Sequence, residues 1–573
     1  MAAHEEALDE EQQAAVRASE GAISVRAGPG SGKTRTLSHR ARHLLVQDPG
    51  SRALLLTFTN KAAAEMKTRA LAVGNLAADR IEASTFHGFG AGFLRSHGHL
   101  VGIGRDFDIL DMDERRDFAA EVASRAGVAD RIGPWSFRRL RRQSMSQPIA
   151  TFGNAYEEAK REEDLVDFDD LVVYPSMLLA GNVELAAAYG RRFQHVLVDE
   201  FQDTNPVHFA IVKALSPHVR TVSVFADDDQ AIMRFAGADA QNVPRFADEL
   251  GATRYQLSCN YRCREEIVHR ANQLVAADPN SSGRRMRASK TGGTVDSRTY
   301  LNTQAEASAL GAEIADLVLA QDVPAASIAI LARSGARANE LVTTLRDHRV
   351  PLTDWRGTAY EPAERRMLIT CMTVIRARLN DRQASKLSAL MGAEPIEERD
   401  THAFLEAHAG HPVSDELMGL RTQAFEGARP QEIVACAQRA IAAHDAEAGM
   451  RALPLVEAVV DFERFDPNFT LEHLLTELAL KSGGRPPTQG GGVKVATLHG
   501  TKGLEWPTVY VLGLEEGKLP DYRAVQDGVV DEERRACFVG VCRAEDRLIL
   551  TYSRHFRTFH QHPSRFLREM GLT

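Results

Sequence analysis

The chain is poor in cysteine and has no apolar run long enough to cross a bilayer. Its 573 residues contain six cysteines, too few for the disulfide framework of a secreted protein. Cys259 with Cys263, and Cys537 with Cys542, lack nearby partners at metal-ligand spacing, so we expect free, buried thiols. The acidic residues 1–8 also lack the order of a secretory signal. The sequence therefore predicts a cytoplasmic protein with no membrane partner.

An excess of positive charge is also missing. The net charge of −9 excludes a general basic coat for nucleic acid, but it permits a local basic groove. Two basic clusters occur, one of Arg138, Arg139, Arg141 and Arg142, the other in residues 283–290 with Arg284, Arg285 and Arg287. Each cluster is either a solvated surface or a nucleic-acid contact, and the sequence leaves both open.

A glycine-rich stretch lies between a short apolar strand, residues 23–25, and a helical pattern over residues 35–46. It reads Ala27-Gly28-Pro29-Gly30-Ser31-Gly32-Lys33-Thr34. Glycines allow backbone N–H groups to close around phosphate oxygens, Lys33 can reach the β- and γ-phosphates, and Thr34 can ligate Mg²⁺. Ala27 replaces the first glycine of the strict pattern, but the strand–loop–helix setting indicates a P-loop.

A second element supplies carboxylates. Residues 193–198 form an apolar, β-prone run that ends in Asp199 and Glu200. Asp199 is suited to hold Mg²⁺, and Glu200 is suited to orient or deprotonate the attacking water. An Asp-Glu pair alone is common at a strand end. Because this pair follows a P-loop in the same chain, it predicts hydrolysis of a nucleoside triphosphate.

Further segments narrow the class of P-loop protein. In chain order they are residues 8–16, 56–66, 84–89, 198–205, 226–238, 257–262, 495–506, and 532–535 with 538–544. Together with the P-loop, these segments resemble the motifs of the UvrD/Rep helicases of superfamily 1. The resemblance covers most of the chain and keeps the family's order, so chance is a poor explanation.

The resemblance implies that one set of the matching residues binds the nucleotide. Gln12 would recognise the adenine edge, since its amide offers both a donor and an acceptor. Tyr261 would stack on the adenine, and Glu505 would lie near the ribose. The remaining nucleotide-binding residues would be Gly28, Gly30, Ser31, Gly32, Lys33, Thr34 and Arg35.

The same resemblance implies the catalytic set. Gln230 would sense the γ-phosphate, while Arg262 and Arg543 would neutralise charge in the phosphoryl transition state. Cys542 stands where the family normally has threonine. The catalytic residues would be Glu200, Lys33, Arg262, Arg543 and Gln230, and the Mg²⁺ ligands would be Thr34 and Asp199.

Other matching positions would contact DNA. They are Phe58, Thr59, Asn60, Thr85, His87, Phe235, His499 and Thr501. The family usually has an aromatic residue at Met233 and arginine at Ala236, so this chain departs from the pattern on the DNA side of its motif. A stacked base contributes about 1–3 kcal/mol, which makes weak unwinding a further expectation.

The resemblance also implies an α/β fold with two RecA-like P-loop domains, each carrying a mainly helical insertion. The first domain, 1A, would comprise residues 1–89 and 192–256, with insertion 1B at residues 90–191. The second, 2A, would comprise residues 257–380 and 491–573, with a short insertion 2B at residues 381–490. Residues 481–492 have the composition of a flexible link. Little chain follows the last motif, so an appended nuclease domain is not expected.

These features predict an ATP- and Mg²⁺-dependent motor that moves 3′→5′ on single-stranded DNA and acts at junctions with duplex. The polarity follows from the resemblance alone. Alternatives are a translocase that displaces proteins but unwinds poorly, and a DNA-sensing ATPase that regulates a partner such as a nuclease in repair or antiphage defence. The sequence leaves the pathway open, and it does not distinguish DNA from RNA strictly.

Overall fold

A computed structural model of the protein describes residues 8–18, 21–72, 76–127, 147–234, 237–279, 281, 283–354, 362–465, 474, 491–556 and 559–572. The predicted α/β class is confirmed: the described residues form two large parallel sheets with helices on their faces. The proposed flexible link falls largely outside the described residues.

The first sheet has six parallel strands in the order β3-β2-β6-β7-β1-β8. The strands of this half are β1 (Gly21–Ala27), β2 (Ala53–Thr57), β3 (Ile81–Thr85), β4 (Asp108–Ile109), β5 (Leu165–Val166), β6 (His195–Val198), β7 (Thr221–Ala226) and β8 (Thr253–Leu257). β4 and β5 pair with each other, apart from the large sheet. The predicted strands at residues 23–25 and 193–198 correspond to β1 and β6.

Helices cover both faces of the first sheet, which is why β2, β6 and β7 are buried along their whole length. They are α1 (Glu10–Arg17), α2 (Lys33–Gln47), α3 (Asn60–Ala72), α4 (Phe86–His97), α5 (Met112–Arg125), α6 (Gln147–Glu162), α7 (Asp170–Gly181), α8 (Val183–Arg192), α9 (Pro206–Leu215) and α10 (Asn242–Glu249). In β6, Val196 and Val198 pack into one core and Leu197 into the core on the opposite face. α4 approaches α7 so closely that a Cβ at Gly90 would lie 1.6 Å from the Leu171 carbonyl oxygen.

The second large sheet follows the order β11-β16-β15-β12-β14-β13, with β17 antiparallel to β16. The strands of this half are β9 (Cys259–Arg264), β10 (Arg287–Lys290), β11 (Thr294–Asn302), β12 (Ile328–Ala332), β13 (Leu352–Asp354), β14 (Val493–Thr497), β15 (Trp506–Leu512), β16 (Ala544–Phe556) and β17 (Phe559–His560). β9 and β10 form a separate two-stranded parallel sheet. β12 alternates between two cores: Ile328 and Ile330 face one, and Ala329 and Leu331 face the other.

The remaining helices are α11 (Glu265–Ala276), α12 (Thr303–Ala315), α13 (Asn339–Asp347), α14 (Pro362–Met372), α15 (Asp381–Leu390), α16 (Thr401–Glu406), α17 (Pro412–Phe425), α18 (Pro430–His444), α19 (Ala446–Phe465), α20 (Tyr522–Gln526), α21 (Val530–Val541) and α22 (Arg565–Glu569). Helices α14–α19 share an apolar core of their own, which includes Leu368, Leu417 and Ile441. The domain boundaries given above stay predictions.

No single described helix is long and apolar enough to span a membrane. α7 and α8 reach that length and composition only when they are taken together, and they meet at an angle of 106°.

Candidate active site

The P-loop joins β1 to α2 at the carboxyl edge of the first sheet. Gly30 and Gly32 adopt positive φ angles of 65° and 73°, a conformation that glycine reaches without strain. A Cβ at Gly30 would lie 2.6 Å from the Cβ of Arg262, so the second half of the chain packs directly on this turn. Ser31 is buried, and its hydroxyl donates to the Gly28 carbonyl at 2.7 Å. Arg35 is half-buried in the first turn of α2.

The two acids after β6 face the P-loop lysine. Lys33 Nζ lies 2.6 Å from Glu200 Oε1 and 3.5 Å from Asp199 Oδ1. Thr34 donates its hydroxyl toward Asp199 Oδ2 at 3.4 Å. Glu200 has a positive φ of 53°, which is uncommon for a residue with a side chain and is typical of strained functional positions. The predicted catalytic lysine, acids and threonine are thus brought together.

Burial and charge set the protonation of this group. Burial alone would lower the pKa of Lys33, but Asp199 and Glu200 raise that pKa above its ordinary value. Burial raises the pKa of Asp199, and the Lys33 charge opposes the rise. Burial would also raise the pKa of Glu200, but Lys33 and Lys502 hold it well below its usual range. Glu200 is therefore a carboxylate at neutral pH and can accept a hydrogen bond.

The oxygens around Asp199 fit a divalent cation. Thr34 Oγ1 and Asp199 Oδ2 are close enough for one cation to contact both, and Mg²⁺ prefers such oxygen ligands. A bound cation would also offset the burial that disfavours the Asp199 carboxylate.

Gln230 lies in the turn after β7, and both ends of its amide are bonded. Its Nε2 donates to Asp227 Oδ2 at 2.6 Å, and its Oε1 accepts from Arg543 Nη2 at 3.0 Å. Asp227 is fully buried, and its backbone N–H donates to Gln202 Oε1 at 3.0 Å. This chain of hydrogen bonds runs from the first half of the protein into the second.

The two arginines that would neutralise charge in the transition state, Arg262 and Arg543, come from the second half. Arg543 is almost fully buried, and its guanidinium also donates to the carbonyls of Val539 at 3.0 Å and Leu504 at 2.9 Å. Burial, followed by the Arg262 charge, lowers the pKa of Arg543 to about 10. Arg262 donates to the Cys542 carbonyl at 3.2 Å and forms an ion pair with Glu505, which is exposed. Arg262 therefore lies against the P-loop glycine Gly30, and Arg543 lies against Gln230 of the first half.

The strand that carries Arg262 is fastened to the P-loop by its neighbours. Asn260 Nδ2 donates to the Pro29 carbonyl at 2.9 Å, and the Tyr261 N–H donates to the Gly30 carbonyl at 2.8 Å. Asn260 is fully buried, and its Oδ1 accepts from the Arg262 N–H at 2.9 Å. The sequence pattern gives Asn260 no role of its own, although it lies directly before Tyr261 and Arg262.

Gln12 of the first half and Tyr261 of the second half both form hydrogen bonds with Asp9. Asp9 caps α1: its carboxylate accepts from the Gln12 N–H at 2.7 Å, and the Gln12 side chain accepts from the Asp9 N–H at 3.1 Å. Gln12 Nε2 donates to the Ser31 carbonyl at 3.0 Å. Tyr261 donates its phenol to Asp9 and is otherwise substantially exposed, so its ring is available for stacking.

Lys502 is a further charged residue at this site, and the sequence did not single it out. It comes from the second half, forms an ion pair with Asp203, and lies 3.5 Å from Glu200 Oε2. Its ammonium also donates to the Gln230 carbonyl at 3.2 Å. The sequence signal was present, because Lys502 lies between Thr501 and the glycine of its motif, but its acid partners are about 300 residues away along the chain.

The predicted DNA-facing residues of the first half form an aromatic cluster beside α3 and α4. Phe58 lies 5.8 Å from Phe86, and His87 lies 5.7 Å from His208, measured between ring centroids. Burial lowers the pKa of His87 to about 4, so its ring is neutral. Three further residues of the first half were predicted to face DNA. Thr59 is exposed, and its hydroxyl accepts from the Ala62 N–H, while Asn60 is the first residue of α3. Thr85 is buried and caps α4, because its hydroxyl accepts from the Gly88 N–H.

The second half contributes His499 and Thr501, which lie in a single helical turn after β14. Burial, then the charge of Arg333, lowers the pKa of His499 to about 4. Thr501 is fully buried, and its hydroxyl donates to the Leu498 carbonyl at 2.7 Å. Phe235 and Ala236 lie outside the described residues. The DNA contacts of all these residues stay predictions.

The two basic clusters have different outcomes. Arg138–Arg142 lie outside the described residues. In the second cluster, Arg285 and Arg287 are exposed, whereas the side chain of Arg284 is only 4% exposed. Its guanidinium forms ion pairs with Asp227 and Asp229, which are far away in sequence, so this side chain is not part of a solvated surface. A nucleic-acid contact by this cluster stays a prediction. None of the six cysteines forms a disulfide; all but Cys259 are buried.

Comparison with protein-family models gives two matches that together cover most of the chain. Residues 8–251 match the UvrD/REP helicase N-terminal domain, and residues 255–394 and 423–555 match the UvrD-like helicase C-terminal domain. The division between the two models, after residue 251, lies close to the end of the first sheet.

Curated relatives support the same grouping. The chain is 28% identical to the ATP-dependent DNA helicase PcrA of Staphylococcus epidermidis and to that of Staphylococcus aureus. Each comparison covers 98% of this chain and 86% of the relative. The chain therefore belongs to the UvrD/Rep-type helicases of superfamily 1, enzymes of ATP-driven DNA unwinding whose domains are RecA-like P-loop folds.

Proposed function

We propose that this protein is an ATP-dependent DNA helicase and translocase that moves 3′→5′ on single-stranded DNA. One observation carries the proposal: the residues suited to ATP hydrolysis come from both halves and meet between them. Arg543 of the second half bonds Gln230 of the first at 3.0 Å, and Arg262 packs against the P-loop glycine Gly30. Nucleotide bound at this boundary can therefore control the relative position of the halves.

The hydrolysis step follows from the charges on the first half. Glu200, a carboxylate in this structure, would orient the attacking water, and it would accept the water's proton once Lys33 binds the phosphates instead of Glu200. Lys33 would bind the β- and γ-phosphates, and Thr34 with Asp199 would hold Mg²⁺. When bound, Mg²⁺ would neutralise charge on the phosphate oxygens. Arg262 and Arg543 would add positive charge from the second half as the halves close.

Adenine recognition would use the Gln12–Asp9–Tyr261 group. Gln12 is oriented by three hydrogen bonds, one of them to the P-loop carbonyl of Ser31. The Tyr261 ring would form one wall of the adenine site, and the base would stack on it. Because the two residues lie on opposite halves, the base itself would bridge them.

Movement along DNA would follow from alternating grips. The DNA contacts of the first half would be made by Phe58, Thr59, Asn60, Thr85 and His87. The DNA contacts of the second half would include His499 and Thr501. Hydrolysis would change the distance between the halves, so that each cycle advances one grip past the other. Aromatic rings support this role, since stacking on bases is tolerant of sequence.

Tailed duplexes test the polarity and the function together. We expect strand separation from a duplex with a 3′ single-stranded tail, dependent on ATP and Mg²⁺, and little from the same duplex with a 5′ tail. The Glu200→Gln variant provides the matched control, since it preserves the shape of the site. A preference for 5′ tails would refute the polarity, and separation without ATP would refute the motor.

A motor that unwinds poorly is the second candidate. Met233 stands where the family has an aromatic ring, which favours a weak grip near the point of strand separation. Streptavidin displaced from tailed DNA, without matching strand separation, would identify a translocase. ATP turnover that requires a co-purifying nuclease would instead identify a regulatory ATPase, and that outcome would refute the proposal of an autonomous motor.

A further inference from the structure

Three consecutive acids follow β7, at Asp227, Asp228 and Asp229. Asp227 and Asp229 are almost completely buried. Adjacent buried carboxylates repel one another and lose hydration, so a cation beside them stabilises the group. Arg26, on the first half, forms an ion pair with Asp228 at 3.1 Å.

The cation that faces the other two acids comes from the second half. Arg284 Nη2 lies 2.9 Å from Asp227 Oδ1 and 3.4 Å from Asp229 Oδ2. The Arg284 side chain is only 4% exposed. The same nitrogen would lie 3.2 Å from a Cβ at Gly28, so the guanidinium also lies against the P-loop.

Arg284 and Gln230 share the Asp227 carboxylate. Arg284 binds Oδ1, and Gln230 Nε2 donates to Oδ2 at 2.6 Å. Gln230 Oε1 then accepts from Arg543 Nη2 at 3.0 Å. The orientation of the Gln230 amide therefore depends on a carboxylate whose other oxygen is fixed by Arg284.

We propose that Arg284 is a positioning residue for ATP hydrolysis, which acts from the second half through Asp227 to orient Gln230. The inference rests on the proposed function of the site and adds a residue that the motif resemblance assigns to no catalytic role. Arg284 loses its contacts to Asp227 and Asp229 when the halves separate, so the orientation of Gln230 is tied to their closure.

The test compares Arg284→Gln with Arg285→Gln, which removes the same charge from the exposed neighbouring residue. We expect Arg284→Gln to lower kcat for ATP by about tenfold or more, since small displacements of catalytic groups cost up to about 10²-fold. We expect the KM for ATP and the affinity for single-stranded DNA to change by less than about threefold. Arg285→Gln should keep the wild-type kcat.

A double-mutant cycle with Gln230→Ala separates positioning from a structural role. If Arg284 acts through Gln230, Arg284→Gln should have little further effect on kcat in the Gln230→Ala background. Arg284→Lys, which keeps a positive charge near Asp227, should recover part of the rate and provides a second variant should Arg284→Gln fold poorly.

Three results would overturn the proposal. They are fully multiplicative effects on kcat in the cycle, an unchanged kcat in both Arg284 variants, and an equal loss of DNA affinity in Arg284→Gln and Arg285→Gln. The kcat measurements are made both with and without DNA. Hydrolysis that ignores DNA in the wild type would refute the proposed motor function, while the cycle on basal hydrolysis would still test Arg284.

Discussion

At the scale of single residues, Glu200 combines a strained backbone with a carboxylate placed between two lysines. A residue with a side chain in the left-handed region costs on the order of 1–3 kcal/mol, so the surrounding contacts must hold it there. Lys33 approaches from the P-loop and Lys502 from the second half. The carboxylate is therefore fixed on the first half, but the charge around it depends on the position of the second half, which carries Lys502.

Glu200→Gln should lower ATP turnover by about 10²-fold or more, because the amide cannot accept the proton of the attacking water. Binding of ATP should persist, since Gln keeps the shape of Glu. Steady-state hydrolysis and nucleotide titration measure the two quantities. Glu249→Gln, which alters an exposed pair with Lys213, is the control; equal turnover in the two variants would contradict the assignment.

His195 in β6 gives a pH dependence of stability. Burial lowers its pKa to about 4, whereas an unfolded histidine has a pKa of about 6.5. The unfolded chain therefore binds a proton that the folded chain does not between these values, so the stabilisation is present above pH 6.5 and is lost toward pH 4. His195→Gln should reduce the slope of unfolding free energy against pH by up to one proton. An unchanged slope in denaturant titrations would disprove this.

Residues within local motifs could be predicted from the sequence, whereas their distant partners could not. Lys33, Thr34, Asp199 and Glu200 were identified because strand, loop and helix patterns surround them. The burial of the Arg284 side chain could not be predicted, because its acid partners lie more than 50 residues away along the chain. A run of arginines has the same appearance in sequence whether it faces solvent or carboxylates.

At the scale of elements, α2 joins the phosphate site to the predicted adenine site. Its Arg40 is fully buried and donates to the carbonyls of Ala15 at 2.9 Å and Val16 at 3.2 Å, at the end of α1. Its Nε donates to Ser223 Oγ at 2.8 Å, and burial lowers its pKa to about 10. Because α1 carries Gln12, Arg40 fixes the helix from which adenine would be read.

Arg40→Met should therefore lower stability and also reduce the preference for ATP over GTP, seen as a smaller difference in KM. Arg80→Met is the matched control: Arg80 caps the far end of α2 through the carbonyls of Leu45 at 2.8 Å and Asp48 at 2.7 Å. It should lower stability without changing base preference. Equal base preference in the two variants would show that Arg40 has only a structural role.

Elements with strong periodicity could be predicted, and short paired strands could not. The helical pattern at residues 35–46 lies within α2, and the apolar runs before the P-loop and the acids lie in β1 and β6. β4 with β5 and β9 with β10 were not predicted. Each of these strands is only two to six residues long, and its pairing depends on partners elsewhere in the chain.

At the scale of the whole molecule, charge is separated between two stretches that contact one another, residues 108–163 and residues 365–386. Acids on one side face bases on the other, in the pairs Asp111–Arg365, Asp111–Arg366, Asp108–Arg376, Glu121–Arg382, Glu163–Arg382 and Glu114–Lys386. The net charge of −9 conceals this separation, because opposite charges cancel in the total. The sequence predicted a helical insertion at residues 381–490, but three of these bases, Arg365, Arg366 and Arg376, lie before it, and the interface itself was not predicted.

Asp111→Asn tests the strength of this interface. Asp111 is buried, 3.2 Å from Arg365 Nη2 and 3.7 Å from Arg366 Nε. Removing one partner leaves buried positive charge unpaired, and we expect the free energy of unfolding to fall by about 3 kcal/mol. Asp117→Asn, at an exposed acid nearby, should change it by less than about 0.5 kcal/mol. Similar small values in denaturant titrations would show that the interface adds little stability.

The most direct test of the whole account is steady-state ATP hydrolysis with and without single-stranded DNA, at low and moderate salt. If the two halves form one site that DNA binding closes, DNA should stimulate hydrolysis strongly, and added salt should weaken the stimulation as it weakens binding. Hydrolysis that ignores DNA would contradict the account, and so would an absence of hydrolysis unless another protein is supplied.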